Sequence, residues 1–206
     1  PRARLAELSR ALAARAPPGG QRLLDARITH LEYKDKKYPG APLTFLRPER
    51  LSVDISREAH VPLSKQMRYK YLVYVEGNAA SPTYTYLMQT GSVILKVEST
   101  SLVNELWYFP LLQPMRDHIP VKADLSDLEA RLRWCRAHDA ECLRIAEAAA
   151  HLHRTFLSRQ GLLDYVQLVA TSLAGRFHPM PSWWTRPGTA ERNCAKAAAA
   201  AAVAAA

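Results

Sequence analysis

Residues 70–81 read KYLVYVEGNAAS, and residues 86–88 and 91–96 read YLM and GSVILK. The first run begins with near-continuous apolar and aromatic residues, which is typical of a strand buried on both faces of a sheet. Small residues, a short helical segment and a second apolar run follow. Because parallel strands need a crossover connection, this order predicts an α/β fold with a Rossmann-like parallel sheet flanked by helices.

The small-residue turn after the first strand is a candidate binding site for a phosphate. Gly77, Asn78, Ala79 and Ala80 leave their backbone N–H groups accessible just before a helix, and Ser81 adds a hydroxyl. A strand-to-helix turn also favours Gly, Asn and Ser for conformational reasons alone. The local sequence leaves both explanations open.

The composition indicates how large a folded domain the chain can form and which charge its binding partners carry. The 206 residues are 48% hydrophobic, enough for one domain with its own core, and the formal net charge of +9 favours anionic partners such as phosphates or nucleic acid. The basic segment Lys34 to Lys37, between Tyr33 and Tyr38, is a candidate nucleic-acid contact, although a solvated loop is the simpler explanation. No apolar run is long enough to predict a membrane span.

The reactive residue types form no recognisable catalytic or metal motif. Cys135, Cys142 and Cys194 show no C-x-x-C spacing, and His151 and His153 are two apart on a predicted helix, so they point in different directions. We therefore expect no metal site, and no catalytic residue is assigned.

Hydrophobic spacing predicts further elements along the chain. In the first half we expect a helix over Arg4–Ala13 that ends at Pro17, a weakly alternating strand over Leu24–Leu31, an irregular connection over Glu32–Arg50 and a short helix over Pro62–Met67.

The second half is predicted to be mainly helical. Ser126 and Glu129 have the spacing of a capping box before one helix, and Asp139 is predicted to cap the next. The inward faces are predicted to carry Leu128, Leu132 and Cys135 on the first helix, and Leu143, Ala146 and Ala150 on the second. A third helix is expected over Leu162–Leu173, ending at Gly175.

Residues 1–175 are predicted to form one domain, and residues 176–206 an aromatic arm with an alanine-rich tail. Trp183 and Trp184 lie in a proline-rich stretch, where they either dock on a partner or pack back on the domain. Residues 197–206 contain nine alanines and one valine. With a first residue that is not methionine, this composition leads us to expect a processed or partial chain.

Several short motifs in register resemble the CAP10-like glycosyltransferases (glycosyltransferase family 90), which include the protein O-glucosyltransferases. The resemblance covers about Arg2 to Leu173. It is carried by Tyr69-Lys70-Tyr71, Glu76-Gly77-Asn78-Ala79-Ala80-Ser81, Tyr86-Leu87, Gly91-Ser92-Val93-Ile94-Leu95-Lys96, Leu112-Gln113-Pro114, Ile119-Pro120-Val121 and Asp124-Leu125-Ser126-Asp127-Leu128.

The resemblance implies a two-lobed GT-B architecture in which this chain is the C-terminal, donor-binding lobe. By resemblance, the donor UDP-sugar is bound by Gly77, Asn78, Ala79, Ala80, Ser81, Thr83, Glu98 and Arg4, with Arg2 as the other match for an upstream arginine. The catalytic base of the family belongs to the N-terminal lobe. No tightly bound cofactor is implied.

Two departures from the family pattern bear on function. Pro82 and Thr83 stand where many members carry an arginine that neutralises the donor diphosphate, and loss of that contact costs about 1.5–3 kcal/mol. Asp117 and His118 replace a His-Tyr pair, which predicts an extra negative charge near the cleft.

Two functions follow. One is transfer of a sugar from a UDP-sugar to a protein or glycan acceptor, which implies the lumen of the ER or Golgi. The other is a degenerate, non-catalytic subunit of a large assembly, organellar (such as mitochondrial) or ribonucleoprotein, that docks through Trp183, Trp184 and its basic surface.

Overall fold

The computed structural model describes residues 2–30, 55–76, 81–99 and 105–176, and the backbone alone at 34–35 and 44–45. The chain divides into two compact units, Pro1–Leu157 and a second that begins at Ser158. The expected boundary near residue 175 stays a prediction, since residues 177–206 lie outside the described part.

Helices and strands alternate through most of the first unit. In order they are α1 (Arg2–Ala14), β1 (Lys34–Asp35), β2 (Thr44–Phe45), α2 (Leu63–Gln66), β3 (Tyr71–Tyr74), α3 (Thr83–Leu87), β4 (Val93–Val97), β5 (Ile119–Val121), α4 (Leu128–Ala137) and α5 (Asp139–Leu152). Short 3-10 turns cover Arg57–Ala59 and Phe109–Leu111, and a π turn, His153–Leu157, follows α5. The helix predicted over Pro62–Met67 is confirmed as α2.

The main sheet is parallel, with strand order β3-β4-β5. Tyr74 pairs with Lys96, and Leu95 pairs with Ile119. Helices flank this open sheet, so the predicted α/β, Rossmann-like class is confirmed. Gly91 has a φ of 74° in the turn before β4, a left-handed conformation that favours glycine.

Each face of the sheet packs into its own hydrophobic cluster, because successive side chains of a strand point to opposite faces. Val93, Leu95 and Val97 pack with residues of α4 and α5, so we name this side the α4/α5 face. Leu72, Tyr74 and Ile94 pack with residues of α3 and of the Phe109–Leu111 turn, so we name the other side the α3 face. The central strand β4 is nearly fully buried, whereas Tyr71 and Val73 of the outer strand β3 are only half-buried.

Three predictions about local structure are wrong. In the described part of Leu24–Leu31, only an isolated bridge joins Ile28 to Ile55. Ser126 forms no capping box: α4 begins at Leu128, while Asp127 Oδ1 accepts from the Lys122 N–H five residues earlier. Asp139 is the first residue of α5, after His138, and pairs with Lys70 instead of capping.

The inward face of α5 also differs from the prediction. Ala146 is buried as expected, but Leu143 is 59% exposed. The buried positions are Cys142, Ile145, Ala146 and Ala149. Cys142, Ile145 and Ala146 pack in the cluster on the α4/α5 face of the sheet, so these positions point inward and Leu143 does not.

The second unit contains one described helix, α6 (Arg159–Ala174). The Oγ atom of Ser158 accepts from Gly161 N at 3.2 Å and caps its beginning. Gly175 follows its last residue, as predicted.

The two described cysteines are free and fully buried. Burial raises the pKa of Cys135 to about 12 and also raises that of Cys142.

Because the thiolate is the reactive form of cysteine, we expect neither Cys135 nor Cys142 to react with a thiol reagent in the native chain. In a Cys194→Ser chain, Ellman's reagent at pH 8 is expected to detect the thiols of Cys135 and Cys142 only after the chain has been unfolded in guanidinium. Rapid labelling of the native chain would contradict this prediction.

Candidate functional site

The carboxyl ends of β3 and β4 carry a row of polar residues on the α3 face. Counting in steps of two, Leu72 and Tyr74 lead to Glu76 just after β3, and Ile94 and Lys96 lead to Glu98 just after β4. Both strands therefore change from apolar to charged toward the same edge of the sheet. In open α/β sheets, ligands bind outside this edge.

The beginning of α1 contacts the end of β3. Arg2 Nε donates to the Glu76 carbonyl at 3.2 Å, and Arg2 Nη2 donates to the Val75 carbonyl at 3.4 Å. A guanidinium is thereby placed at the candidate site by a residue more than 70 positions away in sequence.

Arg4 lies elsewhere on α1. It lines an open cleft of about 410 Å³ together with Glu7, Asp124, Ser126 and Glu129. Of the two arginines that the family resemblance allowed, Arg2 is the one that contacts the end of β3.

Lys96 supplies a second cation at this edge. Its Nζ lies 4.6 Å from the centre of the Phe109 ring, within range of a cation–π interaction. Burial lowers the pKa of Lys96, whereas the carboxylates of Glu105, Glu76 and Glu98 act in the opposite direction. Among the described residues no carboxylate forms an ion pair with Lys96 within 4 Å.

Aromatic side chains pack against one another on the same face of the sheet as these charged residues. The rings of Tyr74 and Tyr84 meet edge to face with centroids 4.9 Å apart, and Tyr84 meets Phe109 at 5.3 Å. The Tyr108 hydroxyl lies 2.9 Å from Thr85 Oγ1. Burial raises the pKa of Tyr108 to about 12, so this hydroxyl stays protonated at neutral pH.

Among the described residues, three buried polar atoms have no hydrogen-bond partner: the hydroxyls of Tyr74 and Tyr84, and Oε2 of Glu76. Unpartnered buried polar atoms are rare in folded proteins, so each calls for an explanation.

The residues of the predicted phosphate turn are only partly described. Gly77, Asn78, Ala79 and Ala80 lie outside the described residues. Ser81 Oγ lies 2.9 Å from Thr83 Oγ1, at the beginning of α3. Glu98 is exposed after β4, and its backbone N–H donates to the Val121 carbonyl at 2.8 Å.

Asp117 contributes negative charge to the surroundings of this site: burial lowers the pKa of Lys96, and the Asp117 carboxylate is among the groups that act in the opposite direction. Its carboxylate is buried in the turn before β5, at the opposite edge of the sheet from the carboxyl ends. Oδ2 accepts from Gln113 N–H and Oδ1 from His118 Nδ1, both at 2.7 Å. The side chain therefore holds a turn in which Met115 has a φ of 61°.

Other predicted contacts fall outside the described residues. These are the side chains of the basic segment Lys34 to Lys37, and Trp183 and Trp184. In the described residues, no three His, Cys, Asp or Glu side chains are placed to hold a metal ion. Nor does the described part of the chain contain a helix with the length and apolarity that crossing a membrane requires.

Comparison with known proteins identifies the family. The family model for glycosyl transferase family 90 matches residues 20–202. The chain belongs to glycosyl transferase family 90. This confirms the CAP10-like resemblance and makes the first unit part of a glycosyltransferase-like domain.

Viral and animal relatives of this family 90 chain are found. It is 33% identical over 174 residues to the uncharacterized protein 179R of Invertebrate iridescent virus 6, covering 74% of this chain and 15% of the relative. It is 32% identical over 114 residues to human protein O-glucosyltransferase 3, covering 55% and 22%. It is 33% identical over 106 residues to protein O-glucosyltransferase 2 of Danio rerio, covering 52% and 21%. The family 90 segment thus spans less than a quarter of each of these relatives.

Sequence reasoning did not single out Glu76, Lys96 or Phe109 as site residues. The first two stand inside motifs that were read as strand and turn. Strand alternation was the available signal: a step of two back from Glu98 reaches Lys96, and a step of two on from Tyr74 reaches Glu76. Phe109 carried no local signal, since its position over Lys96 depends on the tertiary fold.

Proposed function

We propose that this chain is the donor-binding part of a glycosyltransferase that transfers a sugar from a UDP-sugar to a protein acceptor. The observation that supports it most is the group of charged residues from two parallel strands and α1, namely Glu76, Lys96 and Arg2, at the carboxyl edge of the sheet. Two animal relatives are named as protein O-glucosyltransferases, which supports a glucose donor and a protein acceptor. The lumen of the secretory pathway is the compartment that this activity implies.

The proposed roles follow from charge. Arg2 and Lys96 would offset the negative charge of a departing nucleotide diphosphate, which is the principal electrostatic demand of such a transfer. Gly77, Asn78, Ala79, Ala80, Ser81 and Thr83 would bind the diphosphate, as the family resemblance implies. No tightly bound cofactor is part of this proposal.

Isothermal titration calorimetry with UDP tests the proposal. Binding is expected, and Thr83→Arg is expected to strengthen it about tenfold, because a guanidinium near the diphosphate contributes a charge-assisted hydrogen bond. Thr155→Arg adds the same charge at an exposed position after α5 and is expected to leave the affinity unchanged.

The absence of heat up to millimolar UDP would contradict the proposed function and favour a non-catalytic subunit. In that case, the chain is expected to co-purify with a large assembly at fixed stoichiometry. An equal gain of affinity from both arginine variants would instead show that the effect comes from net charge and not from the Thr83 position.

A further inference from the structure

Glu76 stands out among the charged residues at the carboxyl edge of the sheet. It is half-buried, and its Oε2 atom is buried without a hydrogen-bond partner. The contact that Arg2 makes at this residue goes to the backbone carbonyl and not to the carboxylate. A buried carboxylate oxygen without a donor is costly, because it has lost its water and gained nothing in exchange.

The surroundings of Glu76 show which kind of donor suits this atom. Glu98 and Glu105 add further negative charge around Lys96, so among the described residues carboxylates outnumber the cations Lys96 and Arg2 at this edge. A phosphate placed against Glu76 would be repelled. A bound metal ion is also disfavoured, since in the described residues no three ligating side chains converge. A neutral group with an O–H donor is not repelled by the carboxylates and does not require three ligating side chains.

We propose that Oε2 of Glu76 accepts a hydrogen bond from a hydroxyl of the bound nucleotide sugar, on either its ribose or the sugar to be transferred. The proposal rests on the proposed function, because it assumes that a nucleotide sugar binds at this edge. The carboxylate then selects for a hydroxylated ligand, while the diphosphate lies toward Ser81 and Thr83.

The test compares binding of four ligands to the 206-residue chain: UDP, 2′-deoxy-UDP, 3′-deoxy-UDP and UDP-glucose. Glu76→Gln replaces the carboxylate by an amide of the same shape. It is expected to weaken binding of the hydroxylated ligand about tenfold, the difference between a charged and a neutral hydrogen bond. Glu147→Gln makes the same change at an exposed position on α5 and is the matched control.

Comparison of the four ligands shows whether the hydroxyl that binds Glu76 belongs to the ribose or to the transferred sugar. If it belongs to the ribose, one deoxy-UDP binds the native chain about tenfold more weakly than UDP, and Glu76→Gln adds no further loss for that ligand. If it belongs to the transferred sugar, Glu76→Gln weakens binding of UDP-glucose and leaves binding of UDP unchanged. Either pattern supports the proposal.

Two results would overturn it. Equal affinities of the native chain and Glu76→Gln for all four ligands would refute the role of Glu76 and leave the proposed function intact. Failure of the native chain to bind either UDP or UDP-glucose would refute both. A thermal melt of each variant, followed by circular dichroism, shows whether the substituted chain is folded in the binding experiment.

Discussion

Replacing Ile145 by alanine is expected to lower the free energy of unfolding by about 2–5 kcal/mol. Ile145 is 4% exposed and packs in the cluster between the sheet and α5. Truncation removes buried methyl groups and leaves a cavity that the surrounding strands cannot close. Urea denaturation followed by circular dichroism measures the change.

Leu143→Ala is the matched control, because it lies two residues away on the same helix and is 59% exposed. Its expected effect is within about 0.5 kcal/mol, since alanine loses little at an exposed helical position. Comparable losses at both positions would mean that α5 presents a different face to the sheet from the one described.

Replacing Asp117 by alanine is expected to destabilise the fold by about 3 kcal/mol. The side chain is 4% exposed and accepts two hydrogen bonds, so its removal leaves the Gln113 N–H and His118 Nδ1 without their acceptor. The turn before β5 should then loosen, because Met115 is held there in a left-handed conformation that it does not favour.

Asp25→Ala provides the comparison for Asp117. Asp25 is a similar carboxylate with 43% of its side chain exposed, paired with Arg22 and Arg27. Exposed ion pairs contribute little, so a change within about 1 kcal/mol is expected. A small effect of Asp117→Ala in the same urea titration would show that the buried carboxylate is not what holds the turn.

The elements that were predicted correctly share one property: their signals are local. The apolar runs around Leu72 and Leu95, separated by a turn and a short helix, indicated parallel pairing, and β3 and β4 pair in parallel. Leu128, Leu132 and Cys135 follow helical spacing, and all three are buried. In each case the pattern lies within about 25 residues.

The predictions that were wrong concern side-chain partners and buried faces, which depend on residues far away in the sequence. Asp139 was expected to cap α5 but pairs with Lys70, which is far away in the sequence, and the inward face of α5 is set by packing against β4. These outcomes depend on which groups the fold brings together.

The sequence by itself determined the α/β class and the family, because periodicity, turn residues and short motifs are written along the chain. Only the tertiary structure decided which residues surround the candidate site. Arg2 reaches the carbonyls of Val75 and Glu76 through hydrogen bonds that span more than 70 residues, and Lys96 meets Phe109 across the α3 face. Such contacts arise from the register of parallel strands and the packing of helices on them, neither of which is encoded in any short segment.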